Sequence, residues 1–166
     1  MGSDAGSGHP RGGRLLAPAV VLAVVALDQL TKAWAVVALA DGPVEVIGST
    51  VELRLGRNTG GAFSLFQGMA PILAVLATVV AVLLVRAIRG AAGADRWTVL
   101  GLALVLAGAL GNLGDRAFRS PGFLRGAVVD FVSVGSWPTF NVADAAITVG
   151  AILLVLRAWR RPADEG

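Results

Sequence analysis

Four long apolar runs separated by polar intervals set the plan of this chain. The first, residues 15–40, follows Arg11 and Arg14 and contains two charges, Asp28 and Lys32. Residues 69–85 and 97–113 carry no charge at all, and a last run opens near Phe140 and ends at Arg157, Arg160 and Arg161. About 20 predominantly apolar residues suffice for a helix to cross the hydrocarbon layer. The runs therefore predict four membrane helices, at about 15–40, 69–88, 97–113 and 140–159.

The polar intervals are not uniform. Val51, Leu53 and Leu55 alternate with Glu52 and Arg54, the two-residue period of a half-buried strand. A small β cradle on the membrane surface is expected at about 44–67, closing in a turn and re-entry segment from Arg57 to Ser64. Residues 115–139 form a second outer segment rich in Gly, Pro and Arg, with Asp130 in a loop. Residues 1–13 are Gly/Ser-rich and predict a disordered cytoplasmic tail, and 162–166 a second tail. A basic start before an apolar run also fits a signal peptide, but this run is too long and lacks a clear cleavage site. The expected organisation is a single integral membrane domain, 14–161.

Composition sharpens the class. The chain is 55% hydrophobic and 15% charged, against about 45–50% and 25% for a soluble domain, and its mean hydropathy is +0.74. The formal charge is +3, yet the basic residues sit beside apolar runs and form no nucleic-acid patch. Eight of the 14 basic residues (Arg11, Arg14, Arg86, Arg89, Arg96, Arg157, Arg160, Arg161) fall on one side of the membrane if the four runs alternate. Both termini are then cytoplasmic. The four tryptophans lie near run ends, as an interfacial aromatic belt requires.

That topology gathers Asp28, Asn58, Asn112, Asp115, Arg116, Asp130, Asn141 and Asp144 in one layer near the outer face. Asp130, beside Val128, Val129 and Phe131, and Asp144, opening the last run, are the leading candidates. A carboxylate at the centre of a membrane helix costs about 2.5–3.5 kcal/mol on insertion scales, which favours a functional reading. Two neighbouring carboxylates that cannot both ionise share a proton, and such a pair can activate water. The plainer reading makes Asp144 a helix-cap partner and Asp130 a turn residue.

Absences narrow the chemistry. With no cysteine, thiolate catalysis and disulfides are excluded, and His9 is the only histidine, in the Gly/Ser-rich start. Lys32 is the only lysine, so a Ser64–Lys32 pair stays open. Asp28 and Lys32, four apart, share a helix face and predict an ion pair. Asn58 to Ser64 offers either a backbone grip on an extended peptide or a plain turn. Asn112 sits inside an apolar run, where it must hydrogen-bond across the bundle or to a ligand. Gly114 suits a helix stop, with Asp115 and Arg116 paired beyond it. Gly101, Gly108 and Gly111 allow close helix approach. Other readings are a proton-coupled transporter component, a non-catalytic membrane scaffold, and a metal hydrolase using Asp28, Asp115, Asp130 and Asp144.

Five segments, in order, resemble the lipoprotein signal peptidase (signal peptidase II) family: Asp28-Gln29-Leu30-Thr31-Lys32, Arg57-Asn58-Thr59-Gly60-Gly61-Ala62-Phe63-Ser64, Gly111-Asn112-Leu113-Gly114-Asp115-Arg116, Val128-Val129-Asp130-Phe131 and Phe140-Asn141-Val142-Ala143-Asp144. Gly61 departs from the family's usual Ala. The resemblance implies a four-transmembrane-helix bundle with an extracytoplasmic β cradle in the bacterial inner membrane. It implies an aspartic endopeptidase that cuts diacylglyceryl-modified prolipoproteins just before the lipidated cysteine, and is blocked by globomycin-type peptides. Asp130 and Asp144 match the catalytic pair. Asn58, Asn112, Arg116 and Asn141 match substrate-contacting or supporting positions, and Asp28 and Lys32 site-stabilising ones. No metal or organic cofactor is implied, the partners are lipidated substrates and membrane lipids, and a monomer suffices.

Overall fold

The computed structural model describes residues 12–60, 69–91 and 94–159. Helix α1 spans Gly12–Ala38, α2 Ala70–Gly90, α3 Arg96–Phe118 and α4 Val142–Trp159. All four are long and apolar enough to cross a membrane. Strands β1 (Val44–Ile47), β2 (Val51–Asn58), β3 (Val128–Val134) and β4 (Trp137–Phe140) make one antiparallel sheet in that order. This is a mostly helical membrane protein with a small sheet at one end.

Helix α3 is the hub, packed against α1, α2 and α4. Small residues let it serve three neighbours. A Cβ on Gly108 would collide with the Ala143 carbonyl, and one on Gly111 would lie 2.6 Å from Asp28 Oδ2 and 3.1 Å from Ala143 Cβ. Large apolar side chains on the outer faces, such as Leu22, Leu30, Ile72, Leu83 and Ile152, are exposed, as lipid solvent allows.

The sheet sits on the end of α1. Ala35, Leu39 and Phe131 form a buried cluster with Leu53, Leu55, Val132 and Val142 packed on it, and Trp34 meets Phe131 edge to face at 6.4 Å. The register pairs Leu53 with Val132 but Gly56 with Asp130. One extra residue in β2 thus forms a bulge beside Asp130, the kind of irregularity that re-aims side chains at sites.

Three expectations are corrected. Asp130 lies in a strand, not a loop: Val128 to Phe131 is buried throughout, so β3 shows no alternation to betray it. The third helix runs past Gly114 to Phe118, because Asp115 and Arg119 pair one turn apart and keep the polar turn helical. Phe140 ends β4 rather than opening α4. In addition, α1 begins at Gly12, inside the stretch expected to be tail. The rest of that tail, the segment from Gly61 through Ser64 to Gln67, and the C-terminal tail lie outside the described residues.

Candidate active site

Asn141 is the joint of the site. Standing just before α4, it accepts a hydrogen bond on Oδ1 from the Asp144 N–H at 3.0 Å, while its own N–H donates to Asp144 Oδ2 at 3.3 Å. This is a reciprocal capping box, with aspartate in place of the usual glutamate. The same Asn141 donates through Nδ2 to Asp130 Oδ1 at 2.7 Å. One side chain therefore fixes the start of α4 and ties Asp144 to Asp130 on the neighbouring strand.

The remaining carboxylate oxygens are held as firmly. Asn58 Nδ2, at the end of β2, donates to Asp130 Oδ2 at 3.1 Å, and Asn112 Nδ2, on α3, donates to Asp144 Oδ1 at 2.8 Å. Both aspartates face one cleft of about 320 Å³, with Asn58, Asn112, Arg116, Trp137, Phe140 and Ile147 among its walls. Asp130 is pushed up to about 6, first by burial and then by the Asp144 charge. Arg116 lies in the field of both aspartates, donates to the Asn112 carbonyl at 3.2 Å, and keeps a buried Nε without a partner among the described residues.

Behind this cleft lies an ionic cluster centred on a buried lysine. Lys32 Nζ, wholly buried, meets Asp28 Oδ2 at 2.8 Å, Asp115 Oδ2 at 2.9 Å and Asn112 Oδ1 at 3.0 Å. Arg119 completes it at 2.6 Å from Asp115. Two cations thus balance two anions. Three consequences follow, two of them for the backbone. Asp28 Oδ1 accepts from the Ala143 N–H at 2.9 Å, a second cap on α4 supplied by α1. Asp115 Oδ2 accepts from the Val129 N–H at 3.1 Å, pinning β3 one residue before Asp130. Lys32 claims the oxygen of the Asn112 amide, so its nitrogen must face Asp144.

Eight candidates from the sequence are therefore present in one contiguous network: Asp130, Asp144, Asn58, Asn112, Arg116 and Asn141 around the cleft, Asp28 and Lys32 behind it. The expected Asp28–Lys32 pair forms, while Ser64 lies outside the described residues. For Asp144, capping and cleft-facing hold together, since one residue does both. Sequence reasoning left Asp115 as an interface pair and overlooked Gln29, whose Nε2 donates to Asp28, the Gly111 carbonyl and Asp115. The four-residue spacing of Asp115 and Arg119 was the available signal.

With the geometry in place, the comparisons are specific. A family model described as signal peptidase (SPase) II matches residues 20–160. The lipoprotein signal peptidase of Rhodococcus jostii (strain RHA1) is 53% identical over 144 residues, covering 86% of this chain and 72% of that protein. That of Mycobacterium avium (strain 104) is 50% identical over 148 residues, covering 89% and 80%. Two solved structures, each titled a bacterial membrane enzyme, superpose with TM-scores of 0.73 and 0.70 at 26% and 27% identity. They cover 90% and 88% of this chain, and 93% and 94% of their own.

Proposed function

This chain belongs to the signal peptidase II family, and from that premise we propose an aspartic endopeptidase of the bacterial cytoplasmic membrane. It removes the signal peptide from diacylglyceryl-modified prolipoproteins by cutting just before the lipidated cysteine. Both termini are cytoplasmic and the cleft opens near the outer face. The observation that carries this reading is the pair of carboxylates facing one cleft from two elements, Asp130 on β3 and Asp144 on α4, joined through Asn141.

The environments divide the labour. Asp130 is buried and its proton is held up to about pH 6, so it is the member that carries the shared proton. Asp144 is less enclosed, and the α4 N-terminus favours negative charge there. Asp144 takes a proton from water as the oxygen attacks the scissile carbonyl, and Asp130 gives its proton to the carbonyl oxygen. The tetrahedral diol then collapses. Asp144 returns its proton to the leaving amide nitrogen, and Asp130 recovers one from a diol hydroxyl. The cycle closes with both groups restored, using only side chains and water. Asn112 and Asn58 fix the two carboxylates, Arg116 limits their combined negative field, and Asp28 and Lys32 position the elements.

A proton-relay transporter would string carboxylates through the depth of the bundle. Here Asp28, Asp115, Asp130 and Asp144 gather at one end, which favours hydrolysis. The test expresses Asp130→Asn and Asp144→Asn separately and follows a lipidated precursor to its mature size. Each single change is expected to abolish conversion while the protein still inserts. Processing that survives either substitution removes that residue from the mechanism.

A further inference from the structure

The cleft does not end at the aspartates. A second hollow of about 360 Å³ opens on the sheet side, walled by Arg54, Gly56, Arg57, Asn58, Asp130, Pro138 and Thr139. Asn58, Asp130, Pro138 and Thr139 line both hollows, so the two are arms of one groove with Asp130 at the divide. The arms differ in kind. One runs along α4 past Ile147 and Thr148, into the span; the other is built from strand residues alone.

The strand arm is basic. Arg54 and Arg57 are exposed, and neither forms a salt bridge to a carboxylate among the described residues. Arg54 is oriented all the same: its Nε and Nη2 both donate to Thr139 Oγ1 at 3.3 Å, spanning from β2 over β3 to β4. Gly56 keeps the floor open, since a Cβ there would press on the Asp130 carbonyl at 3.3 Å. Among the described residues, Asp130 is the only acid lining this arm.

Resting on the peptidase reading above, we propose that this arm is the subsite for the residues just after the lipidated cysteine, and that it favours acidic side chains there. The direction follows from solvent. Signal segment and acyl chains are apolar and belong with the α4 arm, whereas the mature chain is polar and leaves through the arm outside the spans. Gly56 pairs with Asp130, and Arg57 and Arg54 stand one and two residues from Gly56 along β2; at about 3.3 Å per residue of extended chain, the second or third mature residue falls beside the arginines. A carboxylate there gains charge-assisted hydrogen bonds from Arg54 and Arg57.

The test uses the full-length enzyme in bicelles with three diacylglyceryl-modified precursor peptides. They differ only in the two residues after the cysteine: Glu-Glu, Gln-Gln or Lys-Lys. The wild type is expected to prefer Glu-Glu over Lys-Lys in kcat/KM by about tenfold or more, and Arg54→Gln/Arg57→Gln to flatten that preference. Arg54→Glu/Arg57→Glu is expected to reverse it, a gain on the Lys-Lys peptide that no misfolded variant can mimic. Equal wild-type rates on all three peptides overturn the subsite and leave the peptidase reading standing. Cleavage of none overturns the underlying reading. If the loss in the arginine variants tracks the fraction of anionic lipid in the bicelle and not the peptide's charge, the arm holds a lipid phosphate and the proposal falls.

Discussion

Two polar clusters lie side by side at the same end of the bundle, and they are built on opposite principles. Around Lys32 the charges are closed off: Lys32, Asp28 and Asp115 are each 0% accessible, and a half-buried Arg119 at the edge cancels the remaining charge. Around Asp130 and Asp144 the walls open into a cleft, one carboxylate holds its proton to about pH 6, and Arg116 keeps an Nε that has no partner among the described residues. The first cluster is saturated and has no capacity left for chemistry. The second faces open space, so its carboxylate oxygens, though each hydrogen-bonded, have room for a further partner. The contrast teaches that charge inside a membrane protein is not by itself a sign of catalysis. What separates the clusters is whether the hydrogen-bonding capacity is spent within the protein.

The largest effect tests that division from the cleft side. Asp144→Asn keeps a capping acceptor at the start of α4, so the fold should persist while turnover falls by about 10³-fold or more. Melting temperature and precursor cleavage, measured on the same preparation, check it. A variant that loses both together would place Asp144 with the scaffold. From the other side, Lys32→Met leaves Asp28 and Asp115 buried with a cation missing, a change expected to destabilise by about 3–5 kcal/mol. Adding Asp28→Asn restores neutrality, and part of the stability should return in chemical denaturation. Activity should stay low even then, because Lys32 no longer orients the Asn112 amide toward Asp144.

A smaller steric change probes the seam between the clusters. Gly111→Ala would put a methyl 2.6 Å from Asp28 Oδ2, against the carboxylate that caps Ala143. Overpacking of this kind typically costs about 1–3 kcal/mol. The shift falls on the element carrying Asp144, so kcat should drop more than KM rises. Steady-state kinetics on a lipidated peptide would show it. An unaltered kcat would mean that α4 is held by Asn141 alone.

Much of this was legible in the sequence because membrane burial makes polar residues conspicuous. Asp28, Lys32, Asn112 and Asp144 stood out against apolar runs, and the four spans followed from length and charge. Half of the sheet was not legible. Val128 to Val134 is short, and buried through Phe131, so it carries no two-residue period, and an aspartate in its middle resembles a turn. The division of roles between the clusters was equally hidden. It depends on which oxygen of Asn112 or Asp115 meets which donor, and spacing along the chain says nothing about that.

The smallest expected effect compares Asp130 with Asp95, at the far end of the bundle. Asp95 caps α3 through Trp97 N–H and Thr98, and meets Arg157 at 3.0 Å. The Thr98 hydroxyl above all, then Arg157 and the backbone, hold its carboxyl down at about 2, against an ordinary value of 3.8. Between those values the unfolded chain keeps the proton that the folded protein has released. Stability from Asp95 is therefore complete above about pH 4 and drains away as pH falls toward 2. Asp130 runs the other way: the folded protein holds a proton that the unfolded chain gives up between 3.8 and about 6, so stability declines as pH rises through that window. A melting-temperature profile should climb to about pH 4 and sag by pH 6. Asp130→Asn should flatten the sag, and Asp95→Asn should flatten only the acid limb. If Asp95→Asn also moved the pH dependence of kcat/KM, the two ends of the bundle would be coupled, and the isolation of the end that carries Asp130 and Asp144 would have to be given up.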